Sequence, residues 1–232
     1  MTAPANGRSS EPIAGGLGSG LRTVVLVSGG GTNLQAIINE IRSGELAINL
    51  CTVLSDRPGI LGLERAEKAS IPTRVVDYQG YADRADADVA LAAALAEIEP
   101  ELVVLAGFMR ILPDAIVQQY AGRMLNIHPS LLPKYRGLHT YRRAIEAGDS
   151  HHGSTVHFVI PKLDAGPSII QYRVPIHSDE SETSLASRVQ QGEYLIYPRA
   201  IRWFAEDRLR LKDGEVWLDG LPLTEPAIVN ED

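Results

Sequence analysis

The sequence has a single cysteine, no long apolar run and fewer basic than acidic residues. Cys51 is the only cysteine among 232 residues, so no disulfide can form within the chain, and a reducing cytoplasmic location is expected. No segment reaches the ~20 uncharged apolar residues of a membrane span. The net charge of -7 disfavours broad attraction to nucleic acid or anionic membranes, because both need clustered Lys and Arg. A soluble protein without either partner is predicted.

The composition is that of a globular protein that forms one domain. The chain is 44% apolar and 22% charged, and its length is enough for one large hydrophobic core. Residues 1–20 contain Gly, Ser, Ala and Pro but no signal-peptide core, and a disordered tail is predicted there. The folded domain is predicted over residues 21–222, followed by a second tail at 223–232.

Short apolar runs alternate with helical patterns through the first half of the chain. Strands are predicted at 23–27, 48–55, 73–77, 102–107 and 124–128, with helices between them. The run at 102–107 is continuously apolar, as expected for a parallel strand that is buried on both faces. The alternation predicts the α/β class, with a single doubly wound, mostly parallel sheet of the Rossmann-like type.

The second half of the chain predicts antiparallel elements. Two apolar or alternating segments at 154–160 and 168–176 flank a turn-rich segment and are predicted to pair as antiparallel strands. A long helix is predicted at 182–204. Asp213 and Gly214 stand between two short alternating segments, which predicts a terminal β-hairpin.

The first candidate site is "SGGGTNLQ" at residues 28–35. A strand that turns through three glycines into a helix leaves unpaired N–H groups at the helix start, where the helix dipole favours an anion. Leu34 stands where the dinucleotide-binding pattern has its third glycine, so a monophosphate fits better than NAD. A tight turn with Asn33 as the helix cap, and no ligand, explains the segment equally well.

The second candidate is the pair Asn126 and His128 at the end of a predicted strand. Residues two apart share one face of a strand, and open α/β sheets bind ligands beyond the carboxyl ends of their strands. An amide N–H beside an imidazole suits a developing oxyanion, and imidazole can move a proton near neutral pH. Taken alone, a hydrogen-bonded pair that ends a strand is the favoured interpretation.

The third candidate is Asp164, in the turn "LDAGP". A carboxylate in such a turn commonly bonds its own backbone, but near His128 it would favour the imidazolium and orient the ring. The other histidines (His139, His151, His152 and His157) and the single cysteine match no zinc spacing, so no metal is predicted and these histidines are interpreted as surface or structural.

Taken together, the motifs carry a family resemblance. The segments "SGGGTNLQAII", "LAGFMRIL", "NIHPSLLPKYRGLHTYRRAIEAGD", "GSTVHFV", "LDAGP" and "GEYLIYP", in this order, closely resemble the phosphoribosylglycinamide formyltransferases, folate-dependent enzymes of purine biosynthesis. The resemblance covers about residues 22–220. It implies direct transfer of formyl from 10-formyltetrahydrofolate to the amine of glycinamide ribonucleotide (GAR), through a tetrahedral oxyanion and without a metal.

The resemblance also implies roles for particular residues. The catalytic residues that it implies are Asn126, His128 and Asp164. For GAR, the phosphate loop is Gly31, Thr32 and Asn33, and the segment that holds ribose and glycinamide is Gln190, Gln191, Gly192 and Glu193. The folate residues that it implies are Arg84, Met109, Arg110, Ile111, Leu112, Asn126, Ile160, Pro161, Lys162, Leu163 and Asp164. The segment 160–164 departs from the acidic version typical of the family.

Three rival functions are weighed against this one. A formyltransferase acting on methionyl-tRNA needs a C-terminal nucleic-acid-binding domain, for which the ~30 residues after the long helix are expected to be too few. A 10-formyltetrahydrofolate hydrolase carries an N-terminal regulatory domain, which the short tail is not expected to supply. A non-catalytic folate or nucleotide binder would keep the pocket without needing His128. The expected partners are GAR, 10-formyltetrahydrofolate and, through apolar surface strands, a second copy of the chain.

Overall fold

The structure is a computed structural model that describes residues 16–231. Its strands are β1 (Leu17–Gly18), β2 (Leu21–Val27), β3 (Ile48–Ser55), β4 (Thr73–Val75), β5 (Leu102–Leu105), β6 (Met124–His128), β7 (His151–Phe158), β8 (Ser168–Pro175), β9 (Leu209–Lys212), β10 (Glu215–Leu218), β11 (Leu221–Pro222) and β12 (Ala227–Asn230). Its helices are α1 (Thr32–Arg42), α2 (Leu61–Lys68), α3 (Arg84–Ile98), α4 (Asp114–Gln119), α5 (Thr140–Glu146) and α6 (Glu182–Ala205), with a 3-10 turn at Tyr78–Gly80.

Within residues 16–231, nine strands form one mixed, mostly parallel sheet in the order β1-β3-β2-β5-β6-β7-β8-β12, with β4 beside β3. Strands β2 to β6 run parallel, β7 is antiparallel to both β6 and β8, and β12 is parallel to β8. The predicted α/β class and the antiparallel C-terminal strands are therefore confirmed.

A separate three-stranded antiparallel sheet, β9 to β11, contains the predicted hairpin. Its two-residue loop, Asp213 and Gly214, has φ angles of 52° and 82°. A loop of this length needs positive φ at both positions to match the strand twist, and Asp and Gly tolerate that conformation. The hairpin prediction is confirmed.

The sheet is buried on both faces, as the continuously apolar runs predicted. Val25 and Val27 of β2 pack into a core with α1, α2 and α6, whereas Val24 and Leu26 pack into a second core with α3 and α4. Because side chains alternate along a strand, a fully apolar strand can supply both cores at once.

Several element boundaries differ from the prediction for local reasons. Helix α3, one of the helices predicted between the strands, begins at Arg84, because Asp83 accepts a hydrogen bond from the Asp86 N–H at 3.0 Å and caps the helix there. Strand β5 ends at Leu105, two residues early, before the chain turns at Gly107 with φ of 74°.

The structure describes most of the predicted C-terminal tail but little of the predicted N-terminal one. Residues 1–15 lie outside the described residues, and within 16–20 the short strand β1 pairs antiparallel with β3. The segment 223–232 contains β12, which pairs with β8, and the Glu231 N–H donates to the Arg173 carbonyl at 3.0 Å. The domain limits 21–222 stay a prediction.

The strand order places the candidate segments together. β2 has β3 on one side and β5 on the other, so the chain reverses its direction of winding at this point of the sheet. The carboxyl ends of β2 and β5 lead into segments 28–33 and 106–112, and β6 ends with residues 126–128. A crevice at such a reversal is where open α/β sheets bind ligands.

Candidate active site

The glycine loop leads into helix α1 without a side-chain cap. Gly31 is the N-cap residue with φ 66° and ψ 34°, and no side chain bonds the first N–H groups of the helix. A Cβ on Gly31 would lie 2.6 Å from the Gly62 Cα, so both the backbone angle and the packing require glycine. No acidic residue stands in the first turn of α1. The helix start therefore keeps the N–H donors and the positive dipole end that suit a phosphate.

Asn33 does not cap α1, so the interpretation as a capped turn is wrong. It lies within the first turn and is buried, and its Nδ2 donates to Oε2 of Glu193 at 2.8 Å. Its Oδ1 is also buried and accepts no hydrogen bond from the described residues. An amide oxygen in this state is an acceptor that a bound ligand can satisfy.

Helix α6 brings the second predicted GAR segment against α1. Gln190 Nε2 donates to Thr32 Oγ1 at 3.2 Å. Burial of the Glu193 side chain raises its pKa to about 7, although the hydrogen bond from Asn33 opposes this shift. Gln191 is exposed on the next face of the helix. The contact between α1 and α6 thus brings together four predicted GAR residues: Thr32, Asn33, Gln190 and Glu193. Gln191 lies outside this group.

Gly192 of the same segment has a packing reason to be glycine. A Cβ at this position would lie 1.8 Å from Cδ1 of Tyr172 in β8. The Tyr172 ring lies against the backbone of α6, and the helix can approach the sheet this closely only without a side chain there.

The three predicted catalytic residues lie together at the end of β6. His128 is buried, its Nε2 lies 2.9 Å from the Tyr135 carbonyl oxygen, and its Nδ1 lies 3.4 Å from Oδ2 of Asp164. Both ring nitrogens therefore face acceptors, an arrangement that only the doubly protonated ring satisfies completely. Asp164 has φ of 45° and its Oδ2 also accepts from the Gly137 N–H at 2.9 Å.

His157 is a site residue that the sequence did not identify. It lies opposite Asn126 in the β6–β7 ladder, and its Nδ1 lies 2.8 Å from the Phe158 carbonyl oxygen. Nδ1 must donate to that carbonyl, so Nε2 accepts from Asn126 Nδ2 at 3.1 Å. Burial lowers the pKa of His157 to about 4, which keeps the ring neutral and this pattern intact at neutral pH.

The interpretation of His157 as structural is therefore incomplete, because its ring fixes the orientation of the Asn126 amide. The only signal in the sequence was the alternation of "STVHFV", which places His157 on the same strand face as Thr155.

A cleft opens beside these residues on the face of the sheet that carries α3 and α4. Eight of the predicted folate residues line it: Arg110, Ile111, Leu112, Asn126, Ile160, Pro161, Leu163 and Asp164. Five further residues that the sequence did not predict complete the lining: Leu105, Phe108, Val117, His157 and Val159. The additions other than His157 are apolar, and a sequence pattern cannot distinguish such residues from ordinary core.

Three predicted folate residues do not line the cleft. Arg84, on α3, donates from Nη2 to the Ile111 carbonyl and so supports the loop that forms the cleft wall. Met109 is 64% exposed, and Lys162 is exposed on the loop before Asp164.

Within residues 16–231, no three His, Cys, Asp or Glu side chains converge on a position for a metal ion. In the same part of the chain, every helix is too short or too polar to cross a membrane.

Comparisons with known proteins agree on one family. A family model described as formyl transferase matches residues 21–201. A phosphoribosylglycinamide formyltransferase of Escherichia coli is 48% identical over 200 residues, which are 86% of this chain and 94% of the relative. That of Haemophilus influenzae is 45% identical over 210 residues, 90% of this chain and 99% of the relative.

The similarity in sequence extends to the three-dimensional structure. A solved phosphoribosylglycinamide formyltransferase from Coxiella burnetii superposes with a TM-score of 0.86 at 46% identity, covering 90% of this chain and 99% of that one. The range matched by the family model, residues 21–201, contains every predicted site residue.

Proposed function

The chain belongs to the formyl transferase family, and from this premise we propose that it transfers formyl from 10-formyltetrahydrofolate to the amine of GAR, in de novo purine biosynthesis. The products are N-formyl-GAR and tetrahydrofolate. One observation supports the proposal beyond the family: Asn126, His128 and Asp164 lie together at the carboxyl end of β6, beside the cleft that Asn126 and Asp164 line.

The reaction needs no covalent enzyme intermediate. The neutral GAR amine attacks the formyl carbon, a C–N bond forms, and the carbonyl oxygen takes up negative charge. The C–N10 bond to folate then breaks, N10 gains a proton and the attacking nitrogen loses one. The protein has to stabilise the oxyanion and carry this proton.

Asn126 is suited to bind the oxyanion. One N–H of its amide is held by His157 Nε2 at 3.1 Å, and the residue lines the cleft, so the second N–H is available to a ligand. A donor whose direction is fixed before the reaction needs no reorganisation in the transition state.

His128 supplies positive charge, and Asp164 keeps it in place. Nε2 of His128 donates to the Tyr135 carbonyl, so the formyl oxygen has to replace that carbonyl as the acceptor when substrate binds. Asp164, 3.4 Å from the other ring nitrogen, stabilises the imidazolium and can order a water that carries the proton from the amine to N10.

The two substrates approach from opposite faces of the sheet. The GAR set, Thr32, Asn33, Gln190 and Glu193, lies with α1 and α6 on one face, whereas the cleft lies with α3 and α4 on the other. The GAR phosphate binds the first turn of α1, and Glu193 faces the ribose and glycinamide. The substrates then meet at the end of β6.

The test is to mix the purified chain with 10-formyltetrahydrofolate, with and without GAR, and to follow the release of tetrahydrofolate. Release only with GAR is expected. Release without GAR would identify a hydrolase in which water replaces the amine, and no release in either mixture would contradict the assignment as an enzyme.

The Asn126→Ala variant is the matched control for this assay. Loss of one oxyanion donor lowers kcat on the order of a hundredfold, while circular dichroism should stay that of the wild type. A folded variant with normal turnover would remove Asn126 from the proposed role. Dimerisation and a cytoplasmic location stay predictions from the sequence.

A further inference from the structure

Asp56 is a buried carboxylate that no sequence motif identified. It follows β3 directly, and its side chain is completely buried. Burial of a charged carboxylate costs several kcal/mol of desolvation, which only favourable partners can offset. The partners of Asp56 therefore indicate its role.

Two arginines and a serine surround the carboxylate. Oδ2 accepts from Arg110 Nε at 2.8 Å and from Arg57 Nη2 at 2.9 Å, and the nearby Ser28 side chain lowers the pKa of the carboxyl group. Desolvation alone would raise the pKa of Asp56, but the interactions with Arg57, Ser28 and Arg110 outweigh it and hold the pKa below its usual value. The group is thus charged at neutral pH.

Arg110 belongs to one loop, residues 107–112, which follows β5, and Ser28 contacts the same loop. Besides the bond from Arg110 to Asp56, Ser28 Oγ accepts from the Met109 N–H at 2.9 Å, and the Ser28 N–H donates to the Gly107 carbonyl at 3.2 Å. The Arg110 guanidinium also lies 4.7 Å above the ring of Tyr78. These contacts fix the loop from the side of β3.

The loop has little apolar packing of its own at its tip. Met109 is 64% exposed and Ile111 is 53% exposed, so the hydrophobic effect does not hold these two residues. Arg110, Ile111 and Leu112 nevertheless form one wall of the cleft. Between Phe108 and Leu112, which are buried in the core, the shape of this wall therefore depends on polar contacts.

We infer that Asp56 is a positioning residue for the folate co-substrate: through Arg110 and Ser28 it holds loop 107–112 in the conformation that receives 10-formyltetrahydrofolate. The inference rests on the proposed function. It predicts a selective effect, because loop 107–112 contributes to the cleft and not to the GAR set on the opposite face.

The test is isothermal titration calorimetry on the full chain, with 10-formyltetrahydrofolate and GAR as separate ligands. In the Asp56→Asn variant the Kd for 10-formyltetrahydrofolate is expected to rise about tenfold, the effect of losing one charge-assisted hydrogen bond, and the Kd for GAR to stay unchanged. In the assay, the KM for 10-formyltetrahydrofolate should rise with little change in kcat at saturation.

Glu180→Gln is the matched control. In the wild type the Glu180 side chain is 3% exposed and pairs with Arg188 at 2.9 Å. The variant therefore also breaks a buried ion pair, but one that lies outside the cleft lining. It should bind both ligands as the wild type does.

Two further variants separate positioning from stability. Ser28→Ala removes the acceptor of the Met109 N–H but leaves the ion pair of Asp56 with Arg110 in place, and should weaken folate binding in the same selective way even if Asp56→Asn does not fold. In an Arg110→Met background, Asp56→Asn should add little, because Asp56 acts on the loop mainly through Arg110.

The outcomes divide clearly. Selective loss of folate affinity in Asp56→Asn or Ser28→Ala supports the inference. Unchanged folate affinity in the folded variants, or equal loss for both ligands, overturns it. If the wild type itself binds neither ligand, the proposed function fails instead.

Discussion

Among single side chains, the neutral ring of His157 has the most direct consequence for the proposed catalysis, because it holds the amide of Asn126. His157→Leu removes the acceptor of Asn126 Nδ2 and leaves that amide free to rotate. We expect kcat to fall about tenfold, the effect of losing the orientation that one hydrogen bond supplies. His157→Gln, which keeps an acceptor on a flexible side chain, should lose less. Equal kcat in the leucine variant and the wild type would contradict this role.

The raised pKa of Glu193 makes a prediction about stability and pH. The folded state holds the proton of this group up to about pH 7, whereas the unfolded chain releases it near pH 4.5. Between these values the folded state binds more protons, so the free energy of unfolding falls as pH rises, by up to about 3 kcal/mol at pH 8.

Urea unfolding at pH 5.0 and pH 8.0 checks this prediction. Glu193→Gln cannot ionise, so it should be more stable than the wild type at pH 8.0 by a margin that shrinks at pH 5.0. The buried His152 and His157, whose pKa values are both about 4, change stability in the opposite sense over about pH 4–6.5. They are common to both proteins and cancel in the difference. A margin independent of pH would contradict the raised pKa.

Among the helices and strands, the contact between α6 and β8 makes the sharpest prediction. Gly192→Ala improves intrinsic helix propensity by about 1 kcal/mol, but its Cβ would lie 1.8 Å from Tyr172. The overlap forces the ring or the helix to move, at a cost of roughly 1–3 kcal/mol. We therefore expect a lower urea midpoint. Ser187→Ala, at an exposed position of the same helix, should not lower it, and a stabilised Gly192→Ala variant would show that the contact relaxes freely.

Local patterns predicted the elements but not how distant loops meet. The helix predicted at 182–204 is observed as Glu182–Ala205, because its apolar periodicity is a local property. The support of loop 107–112 by Asp56 and Arg84 joins three segments that are far apart in sequence. No local sequence pattern encodes such contacts. The family resemblance predicted Arg84 as a folate residue, whereas in the structure Arg84 supports the cleft wall through the Ile111 carbonyl and does not line the cleft.

For the molecule as a unit, the C-terminal segment tests whether the sheet depends on its last strand. Removing residues 223–232 deletes β12 and the Glu231 partner of Arg188. We expect the free energy of unfolding to fall by about 2 kcal/mol and Tm by roughly 4–8 °C. Glu231→Gln, which keeps the strand, should have a smaller effect in calorimetry. An unchanged Tm in the truncated protein would mean that this segment is dispensable, as the tail prediction implied.

The sequence predicted the fold class and the polar residues at strand ends, for a physical reason. Asn126 and His128 interrupt an apolar run at its carboxyl end, and a polar residue in that position stands out. His157 and Asp56 do not stand out, because one lies within an alternating strand and the other follows a strand as many turn residues do. Their importance comes from contacts with Asn126 of β6 and with the loop after β5, and the whole sheet determines which strands lie side by side. The same reason hid the pairing of β12 with β8.

The opposite placement of the proposed GAR residues and the proposed folate cleft has a consequence for inhibition. A compound that fills only the cleft lined by Ile111 and Ile160 leaves the start of α1 open. Such a compound should compete with 10-formyltetrahydrofolate, while saturating GAR should not relieve the inhibition. A phosphate-bearing compound at α1 should show the reverse pattern. A single molecule that extends past Asn126 and fills both the cleft and the start of α1 would compete with both substrates, so either substrate would relieve its inhibition. Its two halves, each a weak ligand alone, would bind more tightly when joined.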